Sequence, residues 1–330
     1  MTRKTFLIFF LFFSLTLVYS QKSIGSIDRL DSEINNLISI GAKIEILAEG
    51  FTWSEGPLWS SELNGLLFSD VLENKMYFWS HKKGLEVFLE PSGFTGYAPS
   101  SLKKGSNGLA FNSEGILLIA QPGDRRIAFL DSNISSALPK YKTVTDNYLG
   151  LRFNSPNDLI VSSKNELYFT DPPYGLKAQD KDSLKELLFN GVYKYSSGKT
   201  SLISSAMSRP NGLALSADES KLYVSNSDPK KAIWNVFDLK NRKILIPNVF
   251  FDATNMVGFK KKGLPDGLKI HSKGYLFATG PGGVLIFSPE GKHLGTVLTE
   301  VPTSNCAFNA DESYLYMTSD NYLTRIALIH

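Results

Sequence analysis

Short runs rich in apolar, aromatic and β-branched residues recur along this chain, separated by clusters of Asn, Asp, Gly, Ser and Pro. One such run is Lys221-Leu222-Tyr223-Val224-Ser225-Asn226. Its composition predicts a strand. Equivalent runs stand at residues 65–70, 115–119, 166–171, 274–279 and 313–318. Each is followed by a further predicted strand, at 75–80, 126–131, 191–195, 232–239, 283–287 and 323–329. Fourth strands fit most units, among them 85–89 and 293–298. Turn-forming residues fill the gaps between them.

Ahead of each run sits a repeated phrase. It reads Ser54-Glu55-Gly56-Pro57-Leu58, Ser106-Asn107-Gly108-Leu109, Ser155-Pro156-Asn157-Asp158-Leu159, Arg209-Pro210-Asn211-Gly212-Leu213, Leu264-Pro265-Asp266-Gly267-Leu268 and Thr303-Ser304-Asn305-Cys306-Ala307. A period of roughly fifty residues is the mark of a repeat architecture. Six units of about four strands predict an all-β fold, a six-bladed β-propeller. The last unit lacks a fourth strand, and an unassigned strand at 43–48 precedes the first phrase. Pairing that N-terminal strand with the last unit closes the ring and removes a free edge. The propeller is thus expected over residues 43–330, preceded by a lead-in at 21–42. The lead-in carries a helical spacing at Ile27, Leu30, Ile34 and Leu37. Residues 176–188 are charged and predict a short surface helix or lid, and the insertion at 93–105 is a second candidate for covering one face.

Residues 1–20 read differently. Arg3 and Lys4 precede an apolar stretch at 6–18, and small or polar residues follow at Ser20-Gln21. This is the order of a cleaved export signal, predicting a periplasmic or secreted protein. The stretch is shorter than the roughly 18 residues needed to span a bilayer, so no stable membrane span is expected after cleavage. The 330 residues carry a net charge of only +3, with no basic run interleaved with aromatics, so no nucleic-acid partner is expected. Lys103-Lys104 and Lys260-Lys261-Lys262 read as solvated loops. The single cysteine, Cys306, reads as a buried structural thiol, and the four histidines (His81, His271, His293, His330) as exposed turn or terminal residues.

In a propeller the first strand of each blade lines the axial channel, so the six phrases meet at one mouth. They bring two carboxylates, Glu55 and Asp266, and the amides of Asn107, Asn157, Asn211 and Asn305. Converging carboxylates repel unless a cation intervenes. The donors are all hard oxygens, which favours Ca²⁺ over Zn²⁺ and leaves Mg²⁺ and Mn²⁺ open. Any single Asn-Gly or Asp-Gly reads more readily as a turn; the set reads as an ion site.

Longer phrases carry a resemblance. Trp53-Ser54-Glu55-Gly56-Pro57, Phe153-Asn154-Ser155-Pro156-Asn157-Asp158, Tyr168-Phe169-Thr170-Asp171-Pro172-Pro173-Tyr174-Gly175, Leu264-Pro265-Asp266-Gly267 and Ala278-Thr279-Gly280-Pro281-Gly282-Gly283-Val284 resemble the gluconolactonase family of the senescence-marker-protein type. The resemblance runs from about Ile44 to the C-terminus. It implies hydrolysis of a small sugar lactone with one divalent ion, usually Ca²⁺, and Mg²⁺, Mn²⁺ and Zn²⁺ as alternatives. Carried over by motif, Glu55, Asn211 and Asp266 are metal ligands, and Asn157 is a ligand or substrate contact beside the metal. Asp266 is also the general base, and Asn107 is a substrate contact. Related chains often carry His where this one has Pro122, which leaves the particular lactone open. Asp171 stands either behind the site or as a cap on the turn before Pro172-Pro173. Trp53 and Tyr174 are candidates for an aromatic wall, and Arg125 and Arg126 read as structural.

Other chemistries lack their motifs. There is no Gly-x-Ser-x-Gly elbow and no His-Glu-x-x-His, and Gly198-Lys199-Thr200 lacks the upstream glycine of a phosphate loop. Two alternatives stand beside the lactonase: a non-catalytic binding propeller with a structural ion, and a related esterase or organophosphatase.

Overall fold

The computed structural model describes residues 22–240 and 246–329; the export signal expected over residues 1–20 lies outside them. Six antiparallel sheets succeed one another along the chain as blades. From the axis outwards, blade 1 is Ser54–Ser60, Gly65–Asp70, Lys75–Ser80 and Gly84–Leu89. Blade 2 is Leu109–Phe111, Leu117–Gln121, Arg126–Leu130 and Tyr141–Thr145. Blade 3 is Leu159–Val161, Leu167–Asp171, Gly191–Ser196 and Lys199–Ser204. Blade 4 is Pro210–Leu215, Lys221–Asp228, Lys231–Asp238 and Asn248–Asp252. Blade 5 is Leu268–Ile270, Leu276–Gly280, Gly283–Phe287 and His293–Leu298, with Ser26–Arg29 added at its outer edge. Blade 6 is Asn305–Phe308, Tyr314–Ser319 and Tyr322–Ala327, completed by Ile44–Glu49 and Ser23–Ile24.

The predicted closure is present. Ile44–Glu49 pairs antiparallel with Tyr322–Ala327, matching Tyr322 to Glu49 and Arg325 to Glu45. The lead-in does not form a helix. Ser26–Arg29 is a strand on His293–Leu298, and only Ser32–Asn36 is helical, as a 3₁₀ segment capped by the Asp31 side chain. The charged segment at 176–188 likewise forms only a 3₁₀ turn at Gln179–Lys181.

Each blade's faces are covered by its neighbours, so the second strands of blades 1, 2, 3 and 5 are buried along their whole length. The core is correspondingly divided into layers between adjacent blades. Leu67 and Phe78 of blade 1 meet Leu117 and Ile119 of blade 2, and Phe68 and Trp79 meet Tyr316 and Leu323 of blade 6. The layer between blades 5 and 6 also takes in Ile34, Leu37 and Ile38 of the lead-in, and Cys306.

Near the axis a second set of contacts joins the blades. Ser69 Oγ donates to Asn107 O (2.8 Å), and Gly108 N to Asn157 O (2.9 Å). Thr170 Oγ1 donates to Asn211 O (2.7 Å), and Ser227 Oγ to Pro265 O. Thr279 Oγ1 donates to Ser304 O (2.9 Å), and Ser304 Oγ to Ser54 O (2.7 Å). Every step round the ring is thereby bridged at the level of the repeated phrases. Backbones also approach closely here. A Cβ on Gly56 would lie 2.0 Å from Asn107 O, and one on Gly212 would lie 2.3 Å from Asp266 O. The glycines after the polar residues therefore serve close packing about the axis, and the Asn-Gly pairs are not hairpin turns.

Candidate active site

The phrases open into one cavity of about 680 Å³ at the mouth of the channel. Glu55, Asn107, Asn157, Asn211 and Asp266 all line it, and Trp53 and Tyr174 contribute aromatic wall. Three insertions raise its sides: Leu102 and Lys104 from the loop after blade 1, Leu176 to Gln179 from blade 3, and Val257 to Leu264 before blade 5.

The floor is polar and shielded. Glu55, Asn107, Asn157 and Asn211 are buried; Asp266 is half-buried, with its Oδ1 shut off from solvent. The Glu55 Oε2 accepts from Gly56 N (2.8 Å) and from Asn305 Nδ2 (3.4 Å). Burial and the charge of Asp158 push the Glu55 carboxyl up to about 8. Burial, then Glu55 and Asp158, hold Asp266 well above the usual carboxylate range. The two carboxylates are thus brought into one field, although 211 positions of chain separate residue 55 from residue 266.

The amides behave differently from one another. Ser227 Oγ gives its hydrogen to Pro265 O, so towards Asn211 it acts as acceptor and takes Nδ2–H (2.9 Å). That fixes the Asn211 Oδ1 as a buried oxygen without a hydrogen-bond partner. Asn107 Oδ1 and Asp266 Oδ1 are in the same condition. Asn305 is turned the other way. Its Oδ1 accepts from Cys306 N (2.9 Å), and its Nδ2 donates to Glu55 and to Asp158 (3.3 Å). It is a donor to carboxylates, and the sequence expectation that it adds an oxygen to the converging set is corrected.

Buried oxygens without donors, facing two carboxylates, fit a hard cation. Among the described residues no group of three or more His, Cys, Asp or Glu side chains gathers as a metal cluster; the donor set here is two carboxylates plus amide oxygens.

Asp158 was not singled out in the sequence. It occupies the place held by glycine at positions 56, 108, 212 and 267, and that break in the pattern was the available signal. Gly108 leaves it room, since a Cβ there would lie 2.4 Å from Asp158 Oδ1. Burial raises the Asp158 carboxyl, against the opposing charge of Lys269.

Several other expectations are settled by position. Asp171 caps the chain leading into blade 3, accepting from Asn154 N (2.8 Å) and Ser155 N (2.7 Å). Asp70 does the same for Thr52 and Trp53 in blade 1. Arg125 donates to Phe153 O (2.8 Å), while Arg126 pairs with Asp124 (3.1 Å) and stacks on Tyr97. Both arginines are buried and neither lines the cavity. Pro122 is buried and also lies outside the lining. Of the histidines only His81 is exposed among the described residues; His271 is buried against Glu312 (3.3 Å) and His293 is half-buried. Lys104, Lys261 and Lys262, read from sequence as solvated loops, line the cavity.

Comparison with known proteins agrees with this architecture. Residues 53–321 match the SMP-30/gluconolactonase/LRE-like region. The chain is 39% identical over 317 residues to the gluconolactonase of Zymomonas mobilis, covering 92% of this chain and 86% of that one. A solved gluconolactonase from Xanthomonas campestris superimposes with a TM-score of 0.78 at 26% identity, covering 94% of this chain and 99% of that one. Regucalcin from Agrobacterium tumefaciens, at 19% identity and a TM-score of 0.63, shares the fold over 86% of this chain and 92% of its own.

Proposed function

This chain belongs to the SMP-30/gluconolactonase/LRE-like family, and from that premise we propose that it hydrolyses sugar lactones to hydroxy acids with the help of a divalent cation. Glu55, Asn157, Asn211 and Asp266 would hold the ion, and their oxygens favour Ca²⁺. The observation that carries this reading is the cavity floor. Two raised carboxylates share the cavity lining with Asn107 and Asn211, whose buried amide oxygens no protein group satisfies.

When bound, such a cation supplies Lewis-acid polarisation of a carbonyl and offsets the two carboxylate charges. The residues do the rest. Asp266, half-buried at the cavity wall, takes a proton from the attacking water and returns it to the ring oxygen as the lactone C–O bond breaks. Asn157 and Asn107 present amide groups to the lactone oxygen and ring hydroxyls. Trp53 and Tyr174 offer apolar faces to the sugar ring. The order of basic, apolar and small residues over 1–20 supports action outside the cytoplasm.

The test is a pH-stat assay on glucono-1,5-lactone with chelator and with Ca²⁺, Mn²⁺, Mg²⁺ and Zn²⁺ restored singly. Chelation is expected to abolish turnover and Ca²⁺ to restore it. Asp266→Ala is expected to lower kcat by about 10²–10⁴-fold, the range of a general base. Full activity in that variant, or in chelator, refutes the assignment.

A further inference from the structure

Four lysines from three separate loops line the cavity above the reacting floor. They are Lys104 after blade 1, Lys177 in the blade 3 insertion, and Lys261 and Lys262 before blade 5. No carboxylate or side-chain hydrogen bond engages their ammonium groups among the described residues. The carboxylates in the cavity lining are Glu55 and Asp266, at the floor. Lys104 is half-buried, and burial alone depresses its ammonium, with no opposing charge to restore it.

Four ammonium groups on the walls of one cavity, with no carboxylate beside them on those walls, make its rim basic and favour an anion there. A neutral lactone supplies none, and the carboxylate that hydrolysis creates forms at the floor, where the carbonyl was. We propose that the physiological substrate is a lactone carrying a second anionic group at the end away from its carbonyl, either a phosphate monoester or a carboxylate. This rests on the lactonase reading above and adds the substrate class to it. A phosphate monoester brings about −1.5 to −2 charges at neutral pH, and lysines bind it as point charges. A rim of one sign of charge also raises the association rate of an oppositely charged ligand, by about 10–10³-fold at low salt for a cleft so lined.

The experiment uses the Ca²⁺-loaded full-length protein and two readouts. Turnover is compared for glucono-1,5-lactone, its 6-phosphate and a glucarate monolactone. At low ionic strength, kcat/KM for an anionic lactone is expected to exceed that of the neutral one at least tenfold, and added salt should shrink the gap. Lys104→Gln and the double variant Lys261→Gln/Lys262→Gln should lower that ratio several-fold through KM. Whichever anionic lactone shows the gain identifies the group as phosphate or carboxylate. Binding of gluconate and of 6-phosphogluconate is measured separately by calorimetry. Tighter, salt-sensitive and lysine-dependent binding of the phosphate ester, in a protein that turns over no lactone, supports the anion site while ending the lactonase reading. Equal turnover of neutral and anionic lactones together with equal binding of the two acids overturns the proposal and leaves the lactonase standing. Ratios unmoved by salt and by both variants overturn it as well.

Discussion

Asn211 and Asn305 are the same residue at the same point of the repeat, yet they present opposite ends to the channel. Asn211 gives its Nδ2–H to Ser227 and keeps a free oxygen, whereas Asn305 spends its oxygen on Cys306 N and offers Nδ2 to Glu55 and Asp158. The phrase shows where an amide stands; its orientation depends on a partner delivered by another strand, so the sequence does not reveal it. The Ser227 hydroxyl is the device that orients Asn211. Ser227→Ala is expected to weaken Ca²⁺ binding about 10–100-fold, the usual effect of removing a group that orients a ligand. Calorimetric titration with Ca²⁺ checks this, and an unchanged affinity removes Asn211 from the ligand set or Ser227 from its support. Cys306 next door offers a control on packing. Burial pushes its thiol up to about 12, so it should be inert to a disulfide reagent in the native protein. The single thiol of the chain should titrate fully once the protein is unfolded; rapid native reaction would contradict the buried position.

Strands were readable because their apolar patterning is local, and the six phrases made their count plain. The elements that went astray are those whose form is decided by what they pack against. In the lead-in the spacing of Ile27, Leu30, Ile34 and Leu37 suits a helix, yet a lone helix of that length is marginal in water. The outer edge of blade 5 offers unpaired backbone groups instead, and Ser26–Arg29 takes them. Leu30 is left exposed, while Ile34, Leu37 and Ile38 fill the layer between blades 5 and 6. The same holds for 176–188, where the Asp182 carboxylate accepts from Ala178 N (3.0 Å) and Leu184 N (2.9 Å) and fastens the segment as successive turns. The lead-in is consequently part of the core. Leu37→Ala should cost about 2–5 kcal/mol, as buried leucine truncations do. Calorimetry should show a melting temperature lower by roughly 5 °C or more, with turnover at 25 °C intact. A shift under about 1 °C would mean that the strand pairing alone holds the lead-in in place.

Ring closure brings five of the six separate polar positions to one cavity, with Asn305 behind them on Glu55 and Asp158, and this has a consequence for the whole molecule. The ring of hydrogen bonds that ties blade to blade, through hydroxyls at five steps and the Gly108 amide at the sixth, had no local sequence signal, since a serine or threonine at a strand end is common; it holds the phrases against each other whether or not an ion is present. Without a cation the closed ring therefore forces Glu55 and Asp266 together in a buried place. Glu55 illustrates the sign of the result. Its carboxyl titrates near 8 in the folded protein against 4.5 when unperturbed. Between these values the native state keeps a proton that the unfolded chain has lost, so stability is greatest at the acidic end and falls as pH rises from about 4.5 to about 8. On the proposed function, a bound divalent ion would take over the role of that proton. In chelator, the melting temperature of the wild-type protein should thus decline across this window more steeply than that of Glu55→Gln, which carries no titrating carboxyl there. Ca²⁺ at about a hundred times its dissociation constant should add about 2.7 kcal/mol and flatten the wild-type curve, while stabilising Glu55→Gln much less. Parallel pH profiles for the two proteins in chelator, or equal stabilisation of both by Ca²⁺, would show that ring closure does not set these carboxylates against each other.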